Sequence, residues 1–223
     1  MSENPLRKLE TYGQSIWIDF ISRGSLNSGQ LQRWVDEDGV SGVTSNPSIF
    51  ESAITGTHDY DSVIQQLIEE GRTAAEIYET VTIEDIQRAA DLFRPVYEHT
   101  QGADGFVSIE VSPYLANDSE GTIREARRLW QKVNRSNIMI KIPGTKAGLP
   151  AIQQMISEGV NINITLLFGI PRYKEVIEAY MNGLEARAAA GQPLNTVSSV
   201  ASFFLSRIDV LMDPVLGNLS AHQ

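Results

Sequence analysis

The sequence predicts an α/β fold built on a parallel sheet, and three observations support this prediction. Six apolar, strand-like runs alternate with segments of helical periodicity, which is typical of a parallel sheet covered by helices. No glycine-rich turn follows the first run, which weakens the dinucleotide-binding form of a doubly wound sheet. Polar residues recur near the ends of the runs, where a (β/α) barrel carries its reactive groups. These are Asp19, Asn46, Glu110, Lys141, Thr165 and Arg207. We therefore expect a (β/α)8 TIM-barrel type of fold.

The strand-like runs are followed by helical segments in a regular order. The runs cover residues 16–21, 40–45, 106–111, 138–142, 161–168 and 196–205. The helical segments run from a polar cap at Ser28 to near Gly39, and over about 59–100, 122–133, 151–156 and 173–184. The long segment at about 59–100 is predicted to be a helical insertion after strand 2. Because a full barrel needs eight strands, we expect residues 1–223 to form a single, partial barrel domain with about six βα units.

Composition restricts the kinds of partner and site. The chain has 42% hydrophobic and 21% charged residues, as ordinary globular proteins do, and a formal net charge of −10. This charge argues against nucleic acid or an anionic membrane as the partner, while a local basic pocket for a phosphorylated small molecule stays compatible with it. Cysteine is absent and the three histidines lie far apart, so neither a metal site nor a cofactor is expected. Without a secretory h-region or a bilayer-long apolar run, we expect a cytoplasmic protein.

Lys141 is the most informative single residue. It lies in the β-branched run 138–142, which is bounded by proline and glycine and reads as a buried strand. Lysine is rarely buried unless its charge is paired or removed, and desolvation favours a neutral amine that can attack a carbonyl. The alternative is an edge strand from which the side chain reaches solvent. The run by itself leaves both interpretations open.

Three motifs together resemble transaldolase, a class I Schiff-base barrel family. They are Gly-Val-Thr-Ser-Asn-Pro-Ser-Ile-Phe at 42–50, Ile-Met-Ile-Lys-Ile-Pro-Gly-Thr-Lys-Ala-Gly-Leu at 138–149 and Asn-Ile-Thr-Leu-Leu-Phe at 163–168. The family's final strands have no counterpart here, so the resemblance implies a C-terminally truncated chain. Open sheet edges at strands one and six would make such a chain weakly stable or self-associating.

The resemblance implies a role for each catalytic residue. Lys141 matches the Schiff-base nucleophile, and Asp19 matches the acid/base that takes a proton from the donor's hydroxyl. Glu110 matches the carboxylate that activates water, and Thr165 the hydroxyl that helps to hold that water. These four side chains are expected to converge at the carboxyl ends of the strands. The alternative is that Asp19 and Glu110 are structural charge partners that keep Lys141 protonated.

The resemblance also implies a set of substrate-binding residues. These are Asn46, Thr44 and Asn163 for the dihydroxyacetone unit, Ser202 and Arg207 for the phosphate, and Phe204 facing the reactive centre. Capping at a turn or a strand end is the alternative for the two asparagines, especially for Asn46 before a proline. A surface salt bridge is the alternative for Arg207, and an ordinary core aromatic for Phe204. A phenylalanine at 204, where close aldolase relatives have a tyrosine hydroxyl, favours transaldolase.

The implied reaction is transfer of a dihydroxyacetone unit from a ketose phosphate to an aldose phosphate. The donor would be sedoheptulose 7-phosphate or fructose 6-phosphate, in the pentose phosphate pathway, with phosphorylated sugars as the only expected partners. One alternative is a fructose-6-phosphate-type aldolase, which shares the Schiff base but releases free dihydroxyacetone. The other is an inactive, sugar-phosphate-binding barrel fragment. Whether the Schiff-base intermediate transfers the three-carbon unit to an acceptor or frees it distinguishes the two enzymes.

Overall fold

The computed structural model of the protein describes residues 4–220, which contain six strands and ten α-helices. The strands are β1 (Ile16–Ile18), β2 (Val40–Val43), β3 (Val107–Glu110), β4 (Ile138–Pro143), β5 (Ile162–Leu167) and β6 (Ser199–Phe203). The helices before β4 are α1 (Pro5–Glu10), α2 (Arg23–Asn27), α3 (Gln30–Asp38), α4 (Pro47–Gly56), α5 (Asp61–Glu69), α6 (Ala74–His99) and α7 (Ser119–Val133). The later helices are α8 (Gly148–Glu158), α9 (Ile170–Ala189) and α10 (Leu205–Ser220).

The strands lie in the sheet in the order in which they follow one another along the chain. The pairs β1–β2, β2–β3 and β5–β6 are parallel. Each strand is followed by at least one helix, so the chain repeats βα units without reversing the strand order. Sequential order is that of a (β/α) barrel, whereas a doubly wound sheet reverses direction at a switch point. The predicted α/β fold of barrel type, with six βα units, is confirmed.

Tertiary contacts group the chain into two compact units. The first comprises the residues up to Glu110 together with Arg127–Ile140, and the second comprises Val111–Ala126 together with the residues from Lys141 onwards. In the first unit, helices α4, α5 and α6 share an apolar cluster built on Tyr60. In the second unit, α8 packs on α9 and both helices pack on β5. That the whole chain forms one domain stays a prediction.

The predicted helix cap at Ser28 is wrong. Ser22 begins the first helix instead: its hydroxyl accepts the backbone N–H of Ser25, and the Ser25 hydroxyl accepts that of Ser22. Ser28 ends α2, and α3 begins after Gly29, whose φ of 71° suits glycine. The first strand also ends at Ile18 rather than at residue 21, because the chain turns into this capped helix. The predicted end of α3 at Gly39 agrees with the structure.

Four helices were not predicted from the sequence: α1, α2, α4 and α10. In α1, the Asn4 side chain accepts the backbone N–H of Leu6 at 2.9 Å and Pro5 occupies the first turn. This Asn-Pro start is a recognised signal of a helix N-terminus. The strand predicted over 196–205 ends at Phe203, and α10 begins two residues later at Leu205. Arg207, which was expected near a strand end, therefore lies in the first turn of a helix.

A buried ionic network ties α2 to the helices that follow β2. The Arg23 guanidinium donates to Asp85 at 3.0 Å and to Glu84 at 2.8 Å, and the Tyr60 hydroxyl donates to the second oxygen of Asp85 at 2.8 Å. The Tyr60 oxygen in turn accepts the backbone N–H of Arg23 at 2.9 Å. Arg23, Asp85 and Tyr60 are all buried. Burial raises the pKa of the Asp85 carboxyl although Tyr60 and Arg23 both donate to it.

A second ion pair predicts a small dependence of stability on pH. Arg135 donates to both oxygens of Asp91, at 2.5 and 3.0 Å, and these bonds hold the pKa of that carboxyl below its ordinary value. An acid whose pKa is depressed in the folded state contributes stability above its unfolded pKa, and loses it as the pH falls through the folded value. The Asp91 side chain is 57% exposed, so the contribution is below about 1 kcal/mol.

The Asp91→Asn variant tests this expectation by urea unfolding. The free energy of unfolding should be slightly lower than that of the parent at pH 6. The difference should begin to shrink below roughly pH 4 and should vanish once the pH is below the folded pKa of Asp91. A difference of the same size at pH 6 and at pH 3 would show that the ion pair is not its source.

Candidate functional site

Lys141 lies in an interior strand and is almost completely removed from solvent. It is the fourth residue of β4, all six residues of which are buried, and it is 4% exposed. Strand β4 has neighbours on both sides, because Val111 donates its N–H to the Lys141 carbonyl at 3.1 Å and Gly144 donates to the Thr165 carbonyl at 2.8 Å. The alternative of an edge strand with a side chain reaching solvent therefore does not describe this residue.

The second unit brings polar side chains together on one face of β4, β5 and β6. The bond from Gly144 to the Thr165 carbonyl sets the register, and in a parallel pair this places Lys141, Asn163 and Thr165 on the same face. Asn163 and Thr165 are buried, at 0% and 1% exposure. The Ser202 hydroxyl donates to the Asn163 side-chain oxygen at 2.8 Å, so β6 adds to the same face. A buried amine thus shares its face with an amide and two hydroxyls.

The opposite face of these strands is apolar. Alternate residues there are aliphatic and almost completely buried: Ile140, Ile142, Ile162 and Ile164. The Phe203 ring contacts the Tyr173 ring of α9 at a centroid distance of 6.1 Å, which identifies this as the side that faces the helices. Lys141 consequently belongs to the side of the sheet away from α9. Apolar packing behind the strand holds its backbone in place.

In the first unit, Asp19 and Thr44 form a hydrogen-bonded pair. Asp19 follows β1 and is exposed, and Thr44 follows β2. The Thr44 hydroxyl donates to an Asp19 carboxylate oxygen at 2.5 Å, within the range of a charge-assisted bond. The Thr44 N–H also donates to the Ile18 carbonyl at 2.9 Å. Thr44 therefore orients the carboxylate, a contact that the sequence analysis did not anticipate.

Asn46 has the capping role that the sequence offered as an alternative. Its side-chain oxygen accepts the backbone N–H of Ile49 at 3.0 Å, and Pro47 occupies the first turn of α4. This is a helix N-cap of the ordinary kind. The cap uses the side-chain oxygen, so any contact with a substrate falls to the amide NH₂ group.

Glu110 is the last residue of β3 and is half-buried. Within the first unit it lies close enough to Tyr78 of α6 to affect its titration: burial raises the pKa of the Tyr78 hydroxyl, and the charges of Glu110 and Glu51 raise it further. The Tyr78 ring packs edge-on against Phe50 at 6.4 Å. Helix α6 therefore contributes an aromatic hydroxyl to the surroundings of the Glu110 carboxylate.

Phe204 and Arg207 have different environments. The Phe204 N–H donates to the Leu167 carbonyl at 2.9 Å, and its ring meets the Phe168 ring edge-on at a centroid distance of 5.3 Å. Arg207 is exposed in the first turn of α10. Phe168 is a neighbour of the candidate site that the sequence analysis did not single out, and its position in the motif 163–168 was the one available signal.

Two comparisons with known proteins bear on this arrangement. The sequence model of the family described as Transaldolase/Fructose-6-phosphate aldolase matches residues 16–222. The chain belongs to this family. It is 50% identical to Transaldolase 2 of a Nostoc species over 213 residues, which are 96% of the chain. It is also 50% identical to the transaldolase of Trichodesmium erythraeum over 216 residues, which are 97% of the chain. It is 45% identical over its whole length to the transaldolase of Mycobacterium tuberculosis.

The chain spans only part of these transaldolase-family relatives. It covers 56% of the Nostoc protein, 57% of the Trichodesmium protein and 60% of the mycobacterial protein. Within the described part of the chain, no group of three or more histidine or acidic residues is arranged to hold a metal ion. Over the same residues, no helix is both long and apolar enough to cross a membrane.

Proposed function

We propose that the chain carries out transaldolase chemistry through a Schiff base on Lys141. The observation that supports this most is the burial of Lys141 in an interior strand, on one face with Asn163, Thr165 and Ser202. Covalent catalysis on a carbonyl needs an amine that is shielded from solvent, with polar groups beside it to hold the substrate. Membership of the family supports the same reaction.

The reaction divides into cleavage and transfer. The Lys141 amine attacks the C2 carbonyl of a ketose phosphate, and loss of water from the adduct gives an iminium ion. Asp19 takes the proton of the C4 hydroxyl, and the C3–C4 bond breaks as its electrons move into the iminium, which becomes an enamine. The aldose phosphate leaves. The enamine then attacks the aldehyde of an acceptor aldose phosphate, whose oxygen takes the proton back from Asp19. Water hydrolyses the new iminium and releases the product and the Lys141 amine.

The remaining residues are proposed to serve this cycle. Glu110 exchanges protons with the water that is lost and regained at C2, and Thr165 holds that water by its hydroxyl. Asn46 and Asn163 hydrogen-bond the hydroxyls of the three-carbon unit. Ser202 and Arg207 bind the phosphate, for which a guanidinium group is suited. The substrates would be sedoheptulose 7-phosphate or fructose 6-phosphate in the pentose phosphate pathway, in the cytoplasm.

Reductive trapping tests the proposal directly. The 223-residue chain is incubated with fructose 6-phosphate and borohydride, digested and mapped by mass spectrometry, with the Nostoc relative treated in parallel. The reduced three-carbon adduct should be on the peptide that contains Lys141. An adduct on Lys132, Lys146 or Lys174 instead would contradict the assignment. Free dihydroxyacetone as the main product, without transfer to an aldose phosphate, would identify the chain as an aldolase.

Replacing Thr44 by valine tests the role of the Asp19 carboxylate. The change keeps the branched shape of the side chain and removes the hydroxyl that donates to Asp19. A hydrogen bond to a charged group contributes about 1.5–3 kcal/mol, so kcat/KM for transfer should fall by roughly 10- to 100-fold.

Thr44→Ser is the matched control, because it restores the hydroxyl without the methyl group and should keep most of the activity. Equal loss in the valine and serine variants would mean that packing of the methyl group, and not orientation of Asp19, is the contribution of Thr44. Thermal unfolding of both variants checks that the fold is retained.

A further inference from the structure

Strand β5 contains an extra residue where it pairs with β6. Ile164 is opposite Ala201 and Leu167 is opposite Phe203, so three steps along β5 correspond to two along β6. Leu166 has a φ of 62°, in the left-handed region that L-residues other than glycine rarely adopt. It is 45% exposed, whereas Thr165 and Leu167 on either side are buried at 1% and 0%. The arrangement is a β-bulge with its extra residue at Leu166.

The residues on either side of the bulge are anchored to different neighbours. The Thr165 carbonyl accepts the N–H of Gly144, next to β4, at 2.8 Å. The Leu167 carbonyl accepts the N–H of Phe204, which follows β6, at 2.9 Å. Leu166 lies between these two hydrogen-bonded residues and is the extra residue that has no counterpart in β6. A left-handed conformation costs a non-glycine residue about 1–2 kcal/mol and persists only where the surroundings impose it.

The bulge changes which side chains share a face. In a regular strand, Thr165 and Leu167 would point to the same side. With the extra residue, Leu167 is aligned with Phe203, on the face that contacts α9, while Thr165 stays on the face of Asn163 and Ser202. Alternation from Leu167 then brings Phe168 to the face of Thr165. There its ring meets Phe204 edge-on at 5.3 Å.

A regular β5 would instead send the Phe168 ring to the helix-facing side. The strained residue therefore has a definite consequence, because it gathers Leu166, Phe168 and Phe204 at the carboxyl ends of β5 and β6. Leu166 and Phe168 lie one and three residues after Thr165, and Phe204 lies two residues after Ser202. Leu166 and Phe168 are each close to half-exposed, at 45% and 49%. We call these three side chains the apolar rim.

We propose that the bulge at Leu166 determines the fate of the three-carbon intermediate, because it places Phe168 in an apolar rim that keeps proton-donating water away from C3 of the enamine. This inference rests on the proposed transaldolase function. Release of the unit requires a proton at C3 of the enamine and then attack of water at C2 of the iminium, which gives free dihydroxyacetone and the Lys141 amine. Restricting water at C3 slows this protonation relative to attack of the enamine on an aldose phosphate aldehyde. The water at C2 is needed in both cases, because it hydrolyses the final iminium of release and of transfer alike. Leu166 and Phe168 are thus specificity-determining residues.

Three variants separate the backbone from the side chains. Leu166→Val places a β-branched residue where φ must be positive, which opposes the bulge and the placement of Phe168. Phe168→Leu keeps the bulge and removes the ring. Leu166→Gly accepts the left-handed conformation and removes only one rim side chain. Leu194→Val is the matched control, since Leu194 is also exposed, at 44%, and lies outside the rim.

The measurement is the ratio of free dihydroxyacetone to transferred product, together with borohydride trapping on Lys141. Leu166→Val and Phe168→Leu should raise the ratio about 10-fold, Leu166→Gly should raise it less, and Leu194→Val should leave it unchanged. Trapping on Lys141 should persist in all of them. An unchanged ratio in Phe168→Leu and Leu166→Gly, with trapping intact, would overturn the inference. Failure to trap the parent chain would instead refute the proposed function. If Leu166→Val does not fold, the other two variants decide.

Discussion

Replacing Lys141 by methionine is expected to abolish sugar-phosphate transfer, with a loss of about 10³-fold or more. Methionine keeps an unbranched side chain of similar length in this buried position and removes the amine that we propose as the Schiff-base nucleophile. No other group can replace a covalent nucleophile, so the whole covalent route is lost rather than slowed. The measurement is the rate of transfer from fructose 6-phosphate to an aldose phosphate acceptor, with borohydride trapping of the same sample.

Lys146→Met is the matched control for this variant. Lys146 lies five residues further along the chain, past the end of β4, and is exposed. Its replacement should leave both transfer and trapping close to those of the parent. Circular dichroism of both variants checks that the fold is kept. Transfer by Lys141→Met at a tenth of the parental rate or more would be incompatible with a Schiff base at this residue.

Replacing Arg23 by methionine is expected to lower the free energy of unfolding by about 3–5 kcal/mol. The change leaves Asp85, which is 0% exposed, without the guanidinium group that donates to it. The hydrogen bond from the Tyr60 hydroxyl to the same carboxylate is kept. A buried carboxylate that loses its counter-charge retains its desolvation penalty. Urea unfolding monitored by circular dichroism measures the loss.

The double variant Arg23→Met/Asp85→Leu identifies the cause. Replacing both partners by apolar residues removes the unpaired charge, so much of the lost stability should return. The loss in Arg23→Met should also shrink as the pH falls from 7 to 5. Burial raises the pKa of Asp85 and Arg23 lowers it, so removing Arg23 raises the folded-state pKa of this carboxyl further than in the parent. The folded variant therefore takes up a proton more readily than the folded parent and regains stability as the pH decreases. A loss that is the same at both pH values would point to packing.

Much of the fold could be predicted from local patterns in the chain. Each of the six apolar runs contains a strand, and the strands occur in the predicted parallel, sequential arrangement. The reason is that burial on both faces of a parallel sheet requires continuous aliphatic runs, which are visible without coordinates. The Asn46-Pro47 start of α4 was likewise a local signal, and its cap follows from backbone groups only three residues apart.

The boundaries were less predictable because competing caps are decided by neighbours in space. Ser28 and Ser22 are both acceptable N-cap residues, and the reciprocal bonds between Ser22 and Ser25 favour the earlier start. Arg207 read as a residue near a strand end, but the strand stops at Phe203 and a helix follows. Propensity is a weak signal at such junctions, where each residue is compatible with more than one element.

For the candidate site, local sequence was sufficient to place a lysine within an aliphatic strand, and an amide and a hydroxyl two residues apart in the next strand. Alternation in a strand is a property of the backbone, so the shared face of Asn163 and Thr165 needed no coordinates. Three features became visible only in the folded chain: Thr44 orients Asp19, Ser202 bonds to Asn163, and Leu166 adopts a left-handed conformation. These features depend on the register between strands that are far apart in sequence, and no local pattern of residues encodes that register.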